Sequence, residues 1–141
     1  METNRYQRGL DIINEITVTD NKEIGTHMDI VAAFKDLAPD LESFIVEFAF
    51  GDIYSREGLT KQQQTMATIA SLVTLGTEPQ LELHINVGIT IGLTPKEIVG
   101  TIVHLIPYTG FPRVLNALKI AKKVFAQRNV TVKDLEMQPN Y

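Results

Sequence analysis

Apolar residues recur along this chain at helical spacing almost from end to end. Tyr6, Leu10 and Ile13 share one side of a first helical segment, and Ile30, Phe34 and Leu37 mark a second. Leu41, Phe44, Ile45 and Phe48 give an i, i+3, i+4, i+7 stripe, with Pro39 where that third segment starts. Gly51 to Gly58 reads as a polar-aromatic connection. Thr60 is placed to cap a fourth helix that runs to Gly76, a C′ residue. Met66, Ala67, Ile69, Ala70, Leu72, Val73 and Leu75 make that helix apolar almost all round, so it is expected to be the central, most buried one.

The punctuation sharpens towards the C-terminus. Thr77-Glu78-Pro79-Gln80 has the form of a capping box opening a fifth helix, which Gly92 closes. Thr94-Pro95-Lys96-Glu97 is a stronger start signal, because Pro sits where no N–H is needed and Glu where it can reach back to the cap. This sixth helix is expected to end or kink near Pro107, and Gly110 and Pro112 mark the next boundary. A last helix carries Leu115, Leu118, Ala121, Val124 and Phe125, with Lys122, Lys123 and Arg128 at the negative end of its dipole. The pattern predicts one all-α domain of about six to seven helices over residues 1–128, and a polar tail over 129–141.

Composition narrows the class. The 44% apolar and 21% charged fractions are those of a globular protein, and apolar runs are broken well before the roughly 18 residues of a membrane span. The net charge of −4 gives no global attraction to nucleic acid or to anionic lipid. Residues 1–58 hold 5 Lys/Arg against 12 Asp/Glu, and residues 59–141 hold 8 against 5. This asymmetry reads first as solvated faces, with acidic and basic halves that meet between subunits as the alternative. The lack of cysteine removes disulfide, thiolate-metal and thiol-redox chemistry, and fits a cytoplasmic protein.

Candidate chemistry centres on two histidines. His84 and His104 each lie about nine residues from the Gly92-Leu93 turn, which puts both about 13 Å up a helical hairpin and lets them share a pocket. Glu97, Thr101, His104 and Tyr108 form one polar stripe on an otherwise apolar helix, although Glu97 also suits the capping box. Gln64, Thr68 and Ser71 make a milder stripe on the fourth helix. No metal site is expected, since no histidines pair at i+3 or i+4. A histidine acid/base is expected to titrate near 6.5, subject to burial.

Several elements occur in a telling order: Phe48-Ala49-Phe50-Gly51-Asp52, Ser55-Arg56-Glu57-Gly58-Leu59, Leu75-Gly76, Gln80-Leu81-Glu82-Leu83-His84, Glu97-Ile98, and His104 with Tyr108, Gly110 and Pro112. In this order and spacing the chain resembles the carboxymuconolactone decarboxylase family over roughly residues 5–126. The resemblance implies an alkylhydroperoxidase D-like helical fold in homotrimers or hexamers. It also implies a decarboxylation of a small carboxylated lactone, run without a cofactor, in aromatic-acid breakdown. On that reading His84 is the general acid/base, His104 and Tyr108 are its hydrogen-bond partners, Arg56 is an anion clamp, and Gln64, Thr68 and Thr101 contact substrate. Where the family commonly shows Arg on the fourth helix, Arg two residues after the histidine and an acid on the sixth helix, this chain has Gln64, Asn86 and Gly100. The alternative is a non-catalytic, oligomeric ligand-binding or scaffold member of the family. The thiol peroxidase chemistry of the related cysteine-bearing branch is not expected of a chain without cysteine.

Overall fold

The computed structural model describes residues 4–17 and 20–131, and every regular element among them is helical. The chain divides into two compact units, one ending at Thr60 and the other starting at Lys61. From residue 132 onward, the expected tail lies outside the described residues.

The first unit holds α1 (Arg5–Ile16), α2 (His27–Ala33), α3 (Leu41–Ser43) and a π-helix (Phe44–Tyr54) that continues α3 without a break. Asn4 caps α1 by accepting the Tyr6 N–H at 2.9 Å, and a Thr26–Asp29 capping box opens α2. The helical stripe anticipated at Leu41, Phe44, Ile45 and Phe48 is not the buried face: Phe44 is 58% and Phe48 56% exposed. An i→i+5 register widens each turn, so residues four and five apart align, and Val46, Phe50 and Gly51 turn inward instead. The helix also runs on through the stretch anticipated as a connection, to Tyr54. Likewise α2 stops at Ala33, which leaves Phe34 and Leu37 beyond it and exposed while His27 and Val31 are buried.

Two glycines let α1 and the π-helix approach backbone to backbone. A Cβ on Gly9 would stand 1.9 Å from the Val46 carbonyl oxygen, and one on Gly51 would stand 2.5 Å from the Arg5 carbonyl oxygen. Side chains then brace the crossing. Arg5 Nε donates to Asp52 Oδ1 at 3.0 Å, Arg8 Nε donates to the Gly51 carbonyl at 2.7 Å, and Tyr6 O–H donates to Glu42 Oε1 at 2.6 Å. The hydrogen bond from Arg5 holds the Asp52 carboxyl below its usual range. His27 meets Phe50 edge-on at 4.8 Å, and Phe50 stacks on Tyr54 at 4.6 Å.

The second unit holds α4 (Lys61–Leu75), α5 (Glu78–Thr90), α6 (Pro95–His104), α7 (Ile106–Thr109) and α8 (Phe111–Gln127). Its core joins Ile69 and Val73 of α4, Leu81 and Ile85 of α5, Ile98 and Ile102 of α6, and Val114, Ala117, Ala121 and Val124 of α8. Within this unit α4 is not the most buried helix. It buries three of its 15 residues, spaced four apart (Thr65, Ile69, Val73), and leaves Leu75 63% exposed, whereas α5 buries Leu81 and the run Ile85 to Gly88. Of the residues that make α4 read as apolar all round, Ala67 and Leu75 are exposed, and Met66, Ala70 and Leu72 are only half-buried.

The caps explain the joints. Gly76 takes φ +73°, its N–H and that of Thr77 both donate to the Leu72 carbonyl, and Arg113 Nη1 donates to the Leu75 carbonyl at 2.9 Å. The anticipated Thr77 capping box does not form. Thr77 stands at the N-cap, but its hydroxyl turns back to the Leu72 carbonyl at 3.5 Å. The Thr94–Glu97 box does form, with Glu97 N–H donating to Thr94 Oγ1 at 3.1 Å. As anticipated, the helix breaks before Pro107: α6 stops at His104 and a short α7 follows. Gly110, at φ +83°, then opens α8.

Candidate functional site

Burial separates the two histidines. His84 sits in mid-α5, one residue before the fully buried Ile85, and is itself half-buried. Desolvation pushes its imidazole down from the ordinary 6.5 to about 4, so it is neutral at neutral pH. His104 is the last residue of α6 and is exposed, because the helix ends there. Its ring lies 5.7 Å from that of Tyr108, tilted by 48°, and Tyr108 is 75% exposed. These two rings are brought together by the α6–α7 break.

The polar stripes are partly self-satisfied. Thr68 Oγ1 donates to the Gln64 carbonyl at 2.9 Å, and Thr101 Oγ1 donates to the Glu97 carbonyl at 2.7 Å. The hydrogen of each hydroxyl is therefore donated within its own helix. Gln64 and Thr68 are half-buried on α4, and Ser71 is exposed. Glu97 serves the capping box that competed for it. Arg56, in the first unit, is exposed in the turn that follows the π-helix, its N–H donating to the Ile53 carbonyl at 3.2 Å. Among the described residues no group of three His, Asp or Glu is disposed to hold a metal ion, and no helix is long and apolar enough to cross a membrane.

Asn86 and Arg128 are the polar feature that the sequence reading missed. Asn86 is only 3% exposed, and its Nδ2 donates to the Glu82 carbonyl at 3.1 Å. The sequence pattern assigns Arg128 to the end of its own helix α8. Its guanidinium instead reaches α5: Nη1 donates to the Asn86 carbonyl at 3.0 Å and to Asn86 Oδ1 at 3.2 Å, and Nη2 donates to Thr90 Oγ1 at 3.1 Å. A planar donor fork thus satisfies the last turn of α5 and a buried amide together. Their separation of 42 residues hides this from any local pattern. Arg128→Ala is expected to lower stability by about 1–3 kcal/mol in chemical denaturation, with Arg128→Lys recovering only part, because one ammonium does not span both acceptors.

Two cavities lie within the second unit. One, of about 410 Å³, runs between α6 and α8 along Val99, Leu118, Ala121, Lys122, Phe125 and Ala126. The other, of about 40 Å³, is bordered by Gly76, Glu78, Arg113 and Asn116. None of His84, His104, Tyr108, Arg56, Gln64, Thr68 and Thr101 lines either cavity.

Known proteins supply the remaining comparison. The model of the Carboxymuconolactone decarboxylase family matches residues 39–123, a stretch that runs from the first unit into the second. The chain is 32% identical over 135 residues to a 4-carboxymuconolactone decarboxylase of Acinetobacter baylyi, covering 96% of this chain and 92% of that protein. It is 31% identical over 105 residues to an uncharacterized 15.0 kDa protein from the nqo9-nqo10 intergenic region of Paracoccus denitrificans, covering 73% and 78%. It is 28% identical over 82 residues to a nitrosuccinic acid decarboxylase of Metarhizium robertsii, covering 58% and 57%.

Proposed function

Since the chain belongs to the carboxymuconolactone decarboxylase family, we propose that it is a cofactor-free lyase, or a related enzyme, for a small carboxylated lactone or oxo acid, with His84 as general acid/base. Two relatives from different organisms are named as decarboxylases, which supports loss of a carboxylate as the reaction type. The observation that carries the choice of His84 is its half-buried, neutral imidazole.

The reaction states what such a site must do. The bond from the ring carbon to the carboxylate breaks, and carbon dioxide leaves. The electron pair passes through the ring double bond onto the lactone carbonyl oxygen, and a proton taken ultimately from solvent returns to carbon. A neutral imidazole suits the middle step, because its N–H can donate to the developing oxyanion with little reorganisation. In this reading His104 and Tyr108 supply hydrogen bonds, Arg56 pairs with a substrate carboxylate, and Gln64, Thr68 and Thr101 offer polar contacts. Gln64, Asn86 and Gly100 in place of charged residues favour a substrate with fewer anionic groups than a dicarboxylate lactone.

Incubation with 4-carboxymuconolactone, followed by its absorbance, tests the narrow form. Turnover above the uncatalysed background, slowed by the missing cationic partners, is the result expected of the narrow form, and turnover no faster than that background would overturn it. One observation favours a second reading, a non-catalytic ligand-binding protein: the hydroxyls of Thr68 and Thr101 are already committed to their own helices. A thermal-shift screen of small acids, lactones and quinones separates the two, since a binder without turnover is stabilised by a ligand that it leaves unchanged.

A further inference from the structure

The groove between α6 and α8 has a chemistry of its own. Val99, Leu118, Ala121, Phe125 and Ala126 give it an apolar floor and walls, and Val130 closes one end. Leu118, Lys122 and Phe125 follow one another by four and three residues, and Ala126 lies four beyond Lys122, so they share the side of α8 that faces the groove. Its volume of about 410 Å³ falls within the roughly 300–1,000 Å³ of small-molecule pockets.

Among the described residues the charged lining of the groove is basic. Lys122 is in the lining and makes no ion pair among the described residues, whereas its neighbour Lys123 is held by Glu82 at 3.0 Å. Lys96 stands one helical turn before Val99 on α6. Among the described residues no Asp or Glu lines the groove, and α8 carries none along its 17 residues. The one carboxylate of α6, on Glu97, is engaged by Thr94. An apolar trough with a single uncompensated ammonium at its edge is complementary to a molecule with an apolar body and one anionic head.

We propose that this groove binds an amphipathic monocarboxylate, its apolar body along Val99, Leu118 and Phe125 and its carboxylate on Lys122 Nζ. The ligand differs from a compact lactone acid, so the site stands or falls separately from the lyase reading. Titration calorimetry of the full chain with decanoate and with decanol tests it. Both ligands should bind saturably, one per chain. Lys122→Gln should weaken decanoate about three- to tenfold and leave decanol unchanged, as loss of one half-solvated charge contact predicts. Ala126→Trp, at an exposed position that fills the groove, should weaken both more than tenfold while the circular dichroism spectrum is retained. Absent decanoate binding, an equal response of acid and alcohol to Lys122→Gln, or indifference to Ala126→Trp would overturn the proposal. So would a drop in light-scattering mass on Ala126→Trp, which would assign the groove to a second copy of the chain.

Discussion

Gly9→Ala is expected to lower stability by at least about 3 kcal/mol, because Gly9 is buried against the backbone of the π-helix. The added methyl would stand 1.9 Å from the Val46 carbonyl oxygen, 2.8 Å from its carbon and 3.1 Å from the Gly51 nitrogen. All three are backbone atoms of the π-helix, so no rotamer change relieves the overlap. Relief requires α1 and the π-helix to separate, and separation would stretch the Arg8 bond to the Gly51 carbonyl and loosen Ile13 and Val46, both fully buried. Gly100→Ala is the matched control. That residue is inside α6 with open space around its Cβ position, so the substitution should raise stability by about 0.5–1 kcal/mol through the helical preference of alanine. Denaturant midpoints of the two variants are therefore expected to move in opposite directions. A Gly9→Ala midpoint equal to the wild type would show that the close crossing is not required.

The same crossing explains where the sequence could be read and where it could not. In the second unit, boundaries are written locally: Gly76, Thr94-Pro95 with Glu97, Pro107 and Gly110 each act through their own φ angle, missing N–H or side-chain cap, and each falls where the pattern put it. The π-helix has no such local mark. Leu41, Phe44, Ile45 and Phe48 satisfy helical periodicity well, and the register that turns Val46, Phe50 and Gly51 inward accompanies the approach of a glycine 42 residues away in sequence. Long-range contact also decides the polar groups. Asn86 looked like a vacancy left by a missing arginine, yet its amide is filled by a guanidinium from α8. Family membership was legible because it rests on the order and spacing of short motifs, which do not depend on register. The two histidines were equally prominent as residue types. Only the end of α6 at His104 and the burial around His84 tell them apart, and neither is a property of the residue itself.

That difference sets the largest functional effect. In the proposed reaction, His84→Gln is expected to cost about 10²–10⁴ in turnover, the usual contribution of a positioned acid/base. A pH experiment on the same variant does not depend on the substrate. The folded imidazole is lowered to about 4, and the unfolded one titrates at its ordinary 6.5. Above about pH 6.5 neither state binds the proton, so His84 leaves stability unchanged there. As pH falls from 6.5 towards 4, the unfolded state takes up a proton that the folded state refuses, and stability is lost progressively. Below about 4 both states are protonated and the loss is complete, at up to about 3 kcal/mol. Glutamine carries no such proton, so His84→Gln should unfold less readily than the wild type at pH 4.5 and should shed this part of the acid dependence. Proton NMR should show one imidazole that titrates near 4 in the wild type and is missing from the variant. An imidazole lost in His84→Gln that titrates near 6.5 would mean that His84 is solvated, and it would remove both the neutral donor and the acid-sensitive stability.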